Sequence, residues 1–306
     1  MNNKHEVVKM FLLHSNTELK YILNVQDLHT SMKSCIINTK RCFYGFFLLR
    51  LDQIKGDNCL SIFKKMGYGA EYTDFAMLLG GKNREWWTMT PKNYGPVAIQ
   101  GDHYSTCRAS WNTSVGVRPA IKYSTISHFC KNGKQNVSGV TEVEFGEYPC
   151  SVDEENDLLF KAYYDKKMIL TDKNYKIVNP MVGYEPATHI TSYPVYEYNG
   201  KKYIKIESAQ SQQGNHFTNG NKVKGENRYF LRIEPIVWLV DEEADLAVTK
   251  NIVFAGVMFN AWSGYFEYDE FEKSFMKKFL NKTFAEDIKT PEMHIFEEEH
   301  SSHKKL

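Results

Sequence analysis

Cys107 and His103 stand four residues apart in GDHYSTCRASWNTS. A thiol beside an imidazole is the pairing that can make cysteine a nucleophile. Such a pair also needs its base oriented by a third group, and none is evident. Asp102 adjoins His103, but neighbouring side chains on an extended chain point to opposite sides. An inert cysteine beside a surface histidine accounts for the same residues. Metal chemistry has less to work with: the ten histidines are dispersed, and the six cysteines form no CxxC pair. His300 and His303 lie in a tail without accompanying Cys or Asp. No GxGxxG or P-loop string occurs, so neither metal nor cofactor is expected. Arg118, in VGVRPAI, reads either as a clamp for a carboxylate or phosphate, or as a structural guanidinium. In the structural reading, which we favour, it satisfies backbone carbonyls and an acid beneath a loop.

Residues that do not react can still bind. The stretch REWWTMTPKNYGPVAIQGDHYSTCRASWNTSVGVRPA, 84–120, holds three of the five tryptophans. It reads as strand, turn, strand, long polar loop, strand. A loop rich in Tyr, Trp, Arg, Ser and Asn on a β frame suits recognition. The candidate contacts are Trp86, Trp87, Tyr94, His103, Tyr104, Arg108, Trp111 and Asn112. Aromatic and Arg side chains dominate binding hot spots. Trp86 and Trp87 read equally well as a core pair under an irregular surface loop.

The elements that would position this stretch follow from pattern. RCFYGFFLLRLD (41–52) predicts a buried strand, and Cys59 to Met66 a short helix ending at Gly67. Thr73 is expected to cap DFAMLL before Gly80 and Gly81. TEVEFGEYP (141–149) alternates, with Glu142 and Glu144 outward. Asp153 should cap a helix through Lys167, with Leu158, Leu159, Ala162 and Tyr163 on one face. Residues 168–192 read as loop. YPVYEYNGKKYIKIES (193–208) predicts a hairpin about Asn199-Gly200. Residues 228–259 hold two or three strands, with Glu242, Glu243 and Asp245 at a solvated tip. Phe271, Phe275 and Phe279 predict an amphipathic helix capped by Asp269.

Size and charge bound the partners. At 306 residues, one large or two modest domains are expected. Lys and Arg number 38 against 37 Asp and Glu, a net charge of +1. Nucleic-acid binders show a basic excess or stripe, so that class ranks low. No apolar run approaches the roughly 20 residues of a membrane span. The expectation is a cytoplasmic chain with no membrane partner, a place in a phage particle being the other location considered.

WWxxTP followed by a polar loop and GVRPAI resembles the closing half of a bacterial domain family of unknown function. That family is compared with the C-type-lectin-like fold of formylglycine-generating enzymes. VEFGEYP, IEPIVW and FMKKFLNKTF resemble the opening half of the same family, here in inverted order. The resemblance implies a permuted α+β fold: an antiparallel, twisted C-type-lectin-like sheet core with flanking helices and long irregular loops. Residues 1–125 would form one module, 126–140 a polar linker and 141–290 a second module sharing a core with the first. Residues 291–306 would be a tail. The paired cysteines of formylglycine-generating enzymes are missing, since Cys107 has no partner shortly before it. The calcium-lectin string is incomplete at Glu185-Pro186 and Glu234-Pro235, and Trp111-Asn112 continues into Thr113. The expected function is therefore non-enzymatic recognition of a protein or glycan. A Cys107-centred enzyme and a structural part of a bacterial or phage particle are the alternatives.

Overall fold

The computed structural model describes residues 45–82, 84–92, 95–100, 103–106, 115–180, 188–260 and 270–289. For strand residues 91, 92, 95, 100, 103–106, 180 and 188 it describes the backbone alone. The chain parts between Cys42 and Phe43, and every described residue belongs to the second unit, Phe43–Leu306. Short helices come first: α1 (Leu51–Ile54), α2 (Ser61–Met66) and α3 (Asp74–Leu78). Gly67, at φ 72°, stops α2 as expected. Thr73 caps α3 by accepting from Ala76 N at 3.1 Å. The strands β1 (Glu85–Lys92), β2 (Gly95–Gln100) and β3 (His103–Thr106) then form a small antiparallel sheet.

The rest of the chain builds an eight-stranded sheet. It runs through β4 (Ala120–Lys122), α4 (Tyr123–Ile126), β5 (Lys131–Gln135), β6 (Thr141–Val152) and α5 (Asn156–Tyr164). There follow β7 (Ile169–Pro180), β8 (Thr188–Tyr198), β9 (Lys201–Glu207), β10 (Arg228–Asp241) and β11 (Leu246–Thr249). Helix α6 (Phe275–Phe279), a π-helical turn (Leu280–Phe284) and α7 (Ala285–Asp287) complete the described residues. β10 organises this sheet. It pairs with β6 from Leu231 to Val240 along one edge, with β9 over Arg228–Arg232 and with β11 over Trp238–Asp241 on the other. Trp238 is fully buried and donates to Phe145 O at 2.9 Å, so even its polar atom is satisfied inside the core. The fold is α+β with mainly antiparallel pairing.

The two halves of the sequence meet in this sheet. β4, from the end of GVRPAI, pairs antiparallel with β11, and Val117 bridges Phe254. Two glycines permit close approach. A Cβ on Gly116 would run into Ile252 and Tyr72, although its backbone is ordinary. Gly146, in FGEYP, has φ 72°, and a Cβ there would come within 3.0 Å of Ile288. Each motif glycine thus marks a packing contact with a residue far away in the chain.

Several expectations need correcting. Residues 126–140 are not a linker: Lys131–Gln135 is strand β5, paired with β6. The expected loop of 168–192 holds β7, whose alternation is masked by a register shift between Leu170 and Asn174, and the start of β8. Phe46, Leu48 and Leu49 are buried, but the described part of the run, from residue 45, holds one bridge, Phe47–Ala120, before α1 begins. Glu142 points inward, with its carboxylate on Lys250 Nζ at 2.9 Å and Asn136 Nδ2 at 3.0 Å. Asp153 does not cap α5; it accepts from Arg232 Nε at 2.6 Å and Glu155 N at 2.9 Å. Leu158 leaves the apolar face and is exposed, while Leu159 and Ala162 are buried. The helix expected about Phe271, Phe275 and Phe279 begins, as α6, at Phe275, capped by Ser274 accepting from Lys277 N at 3.0 Å. Asp269 lies outside the described residues.

Candidate recognition site

The small sheet is rooted in the core. Trp86 and Trp87 on β1, and Val97, Ala98 and Ile99 on β2, are buried to within 1% exposure. β3 pairs with β2, placing Ile99 opposite Tyr104 and Gln100 opposite His103. The chain is fixed again from Val115 onward. Gly116 N donates to Glu85 O at 2.8 Å, and Trp87 N to Gly116 O at 3.0 Å. Val117 N donates to Phe254 O at 2.8 Å, and Val253 N to Val117 O at 3.1 Å. Segment 101–114 therefore includes β3, paired with the buried β2, and its remaining residues 107–114 fall between that sheet and the hydrogen-bonded stretch from Val115.

Trp86 and Trp87 are the clear correction among the candidate contacts. Both are 0% exposed, so neither can touch a ligand at the surface. Trp87 packs edge-on against Phe259, with ring centres 5.6 Å apart. Trp86 lies beside the Arg118 guanidinium, 5.2 Å from its central carbon. Among the described residues neither indole N–H finds a hydrogen-bond partner. The rings contribute packing area and scaffold rigidity at the cost of two unsatisfied donors. Tyr94, Cys107, Arg108, Trp111 and Asn112 lie outside the described residues, as do the side chains of His103 and Tyr104.

Arg118 is 1% exposed. Its Nε donates to Thr249 O at 2.7 Å, with longer contacts to Lys250 O at 3.3 Å and Tyr68 O at 3.4 Å. Phe63 lies 5.3 Å away on the guanidinium side. Among the described residues no carboxylate pairs with it; carbonyls and aromatic faces take the place of the expected acid. Burial pushes its pKa down to about 9, which leaves it charged at neutral pH. The planar fork ties the GVRPAI strand to the end of β11 and to the segment before α3.

Sequence reasoning overlooked a small cleft over the paired strands β6 and β10, lined by Thr73, Cys150, Glu234, Lys250 and Asn251. Its charged groups are already engaged. Glu234 accepts from Ser151 Oγ at 2.8 Å, and Lys250 Nζ is held by Glu142. Burial, reinforced by the Glu234 and Asp74 carboxylates, raises the Cys150 pKa far above the ordinary thiol range. A thiol held protonated is a poor nucleophile and metal ligand. Cys130 is likewise pushed up to about 11 by burial. Among the described residues no group of three His, Cys, Asp or Glu is arranged to hold a metal ion. No helix among them is long and apolar enough to cross a membrane.

Comparison with protein-family models, curated proteins and solved structures finds no match to this chain.

Proposed function

We propose that the chain is a non-enzymatic recognition protein that binds a protein or a glycan through segment 101–114, on a C-type-lectin-like scaffold. One observation carries the reading: the buried, hydrogen-bonded frame on both sides of residues 107–114. A polar and aromatic segment on a rigid frame loses little conformational entropy at its roots when it binds. Tyr104, Arg108 and Trp111 are the principal contacts, with Tyr94, His103 and Asn112 around them. The placement of GVRPAI and FGEYP in one sheet supports a permuted single domain.

Screening the labelled full chain on a glycan array and against cell lysate tests this. Tyr104→Ala and Trp111→Ala should each weaken the captured ligand by about 2 kcal/mol, roughly 30-fold, with unchanged melting. Equal binding by both variants would reject the segment as the contact. Selective electrophile labelling of Cys107 at neutral pH would favour the enzyme reading instead.

A further inference from the structure

The face of the large sheet that carries α5 holds a feature independent of segment 101–114. Tyr196 on β8 stands across from Tyr203 on β9, and Lys205 on β9 across from Phe230 on β10. Residues directly opposite share a face, and positions 203 and 205 lie two apart, so all four side chains emerge on one side. α5 crosses that side and lays Tyr163 onto it. The Tyr163 ring is edge-on to Tyr196, with centres 5.4 Å apart, and lies 5.9 Å from the ring of the fully buried Phe230. The ring is thereby held, while its hydroxyl stays close to solvent.

Lys205 supplies the charge. Its Nζ donates to Tyr163 Oη at 3.0 Å and lies 4.1 Å from the ring centre. Among the described residues no carboxylate pairs with this ammonium, and the phenol oxygen takes that place. A phenolate there completes an ion pair that the neutral phenol leaves incomplete. The Lys205 contact first, then the Tyr196 hydroxyl and the more distant Arg228, hold Tyr163 below the usual phenol range. Tyr196 is itself pushed up, chiefly by burial, so of this pair Tyr163 gives up its proton first.

We propose that Tyr163 is a nucleophilic phenol, activated by Lys205 and oriented by Tyr196, that takes group-transferring electrophiles of the sulfonyl class. With a sulfonyl fluoride, Tyr163 Oη forms a bond to sulfur and the sulfur–fluorine bond breaks. Fluoride departs with the electron pair, and the phenolic proton passes to water. The neighbouring Tyr164 is the internal reference, being 66% exposed and without the ammonium at its oxygen.

The full chain, treated at about pH 8 with a limiting amount of phenylmethylsulfonyl fluoride and mapped by peptide mass, tests this. Tyr163 should be labelled at least about fivefold faster than Tyr164. Lys205→Met should slow Tyr163 by roughly five- to tenfold and leave Tyr164 unchanged. The pH at half-maximal labelling of Tyr163 should also move upward in that variant. Lys205 is half-buried, so unchanged melting is the folding control, and the wild-type ratio needs no variant at all. Equal rates at Tyr163 and Tyr164 would overturn the proposal. So would a label carried by Lys205 in place of Tyr163, or a rate and pH profile at Tyr163 indifferent to Lys205→Met.

Discussion

Arg118 and Asp287 show how single buried charges are held, and with opposite consequences for stability. Truncating Arg118 to Ala leaves the Thr249, Lys250 and Tyr68 carbonyls short of a donor inside the fold. The expected loss is roughly 1–3 kcal/mol in a denaturant melt. Arg118→Lys should recover little of it, since an ammonium cannot reproduce a planar fork. An unchanged melt in the Ala variant would reject a structural role. Asp287 is held differently. Burial is the main cause raising its pKa to about 7, against the opposing pull of Lys176 N, Lys173 and Lys176, and with Glu286 adding to the rise. Tyr148 and Tyr175 also face it. Its folded pKa exceeds the unfolded value of 3.8, so its contribution is full below about pH 4 and is lost as pH rises through about 7. Asp287→Asn should gain on the wild type by on the order of 1–3 kcal/mol at pH 8, a difference that shrinks towards pH 4. A pH-independent difference between the two melts would contradict this.

At the scale of elements, contacts made at a distance decide what the strands can tolerate. Gly116→Ala should cost about 3 kcal/mol, because the new methyl meets Ile252 and Tyr72 in a packed interior. Trimming Ile252 to Ala should then cost less in the Gly116→Ala background than in the wild type, as clashing neighbours are non-additive. Additive losses would mean that the methyl finds room elsewhere. Elements with local signals were legible in the sequence. Asn199 and Gly200 take φ of 51° and 72° in the expected hairpin, and Thr73 caps as its position implied. Elements with distant causes were not. β7 is hidden by its register shift, and Glu142 turns inward only because Lys250 and Asn136 meet it there. The polar stretch after β9 reads as loop, yet Gln212 Nε2 donates to Met77 O at 2.9 Å. Thr218 N in turn donates to Asp74 at 2.7 Å, so this loop docks on α3 at both ends.

For the molecule as a whole, the shared sheet is the organising fact. β4 lies against β11 and β6 along β10, so early and late motifs contribute to one core. The candidate segment is a reading of the sequence, and the roots that flank it were not legible there. Trp86 and Trp87 read as contact or core with equal ease, and the packing of Phe259 and Arg118 decides the matter. The proposal that a fixed root carries a binding segment is the central claim, and replacing residues 107–114 by a Gly/Ser segment of equal length tests it directly. The account predicts a melting temperature within about 4 °C of the wild type and at least a tenfold loss of the ligand captured by the full chain. Collapse of the fold, or binding that survives the replacement, would contradict it.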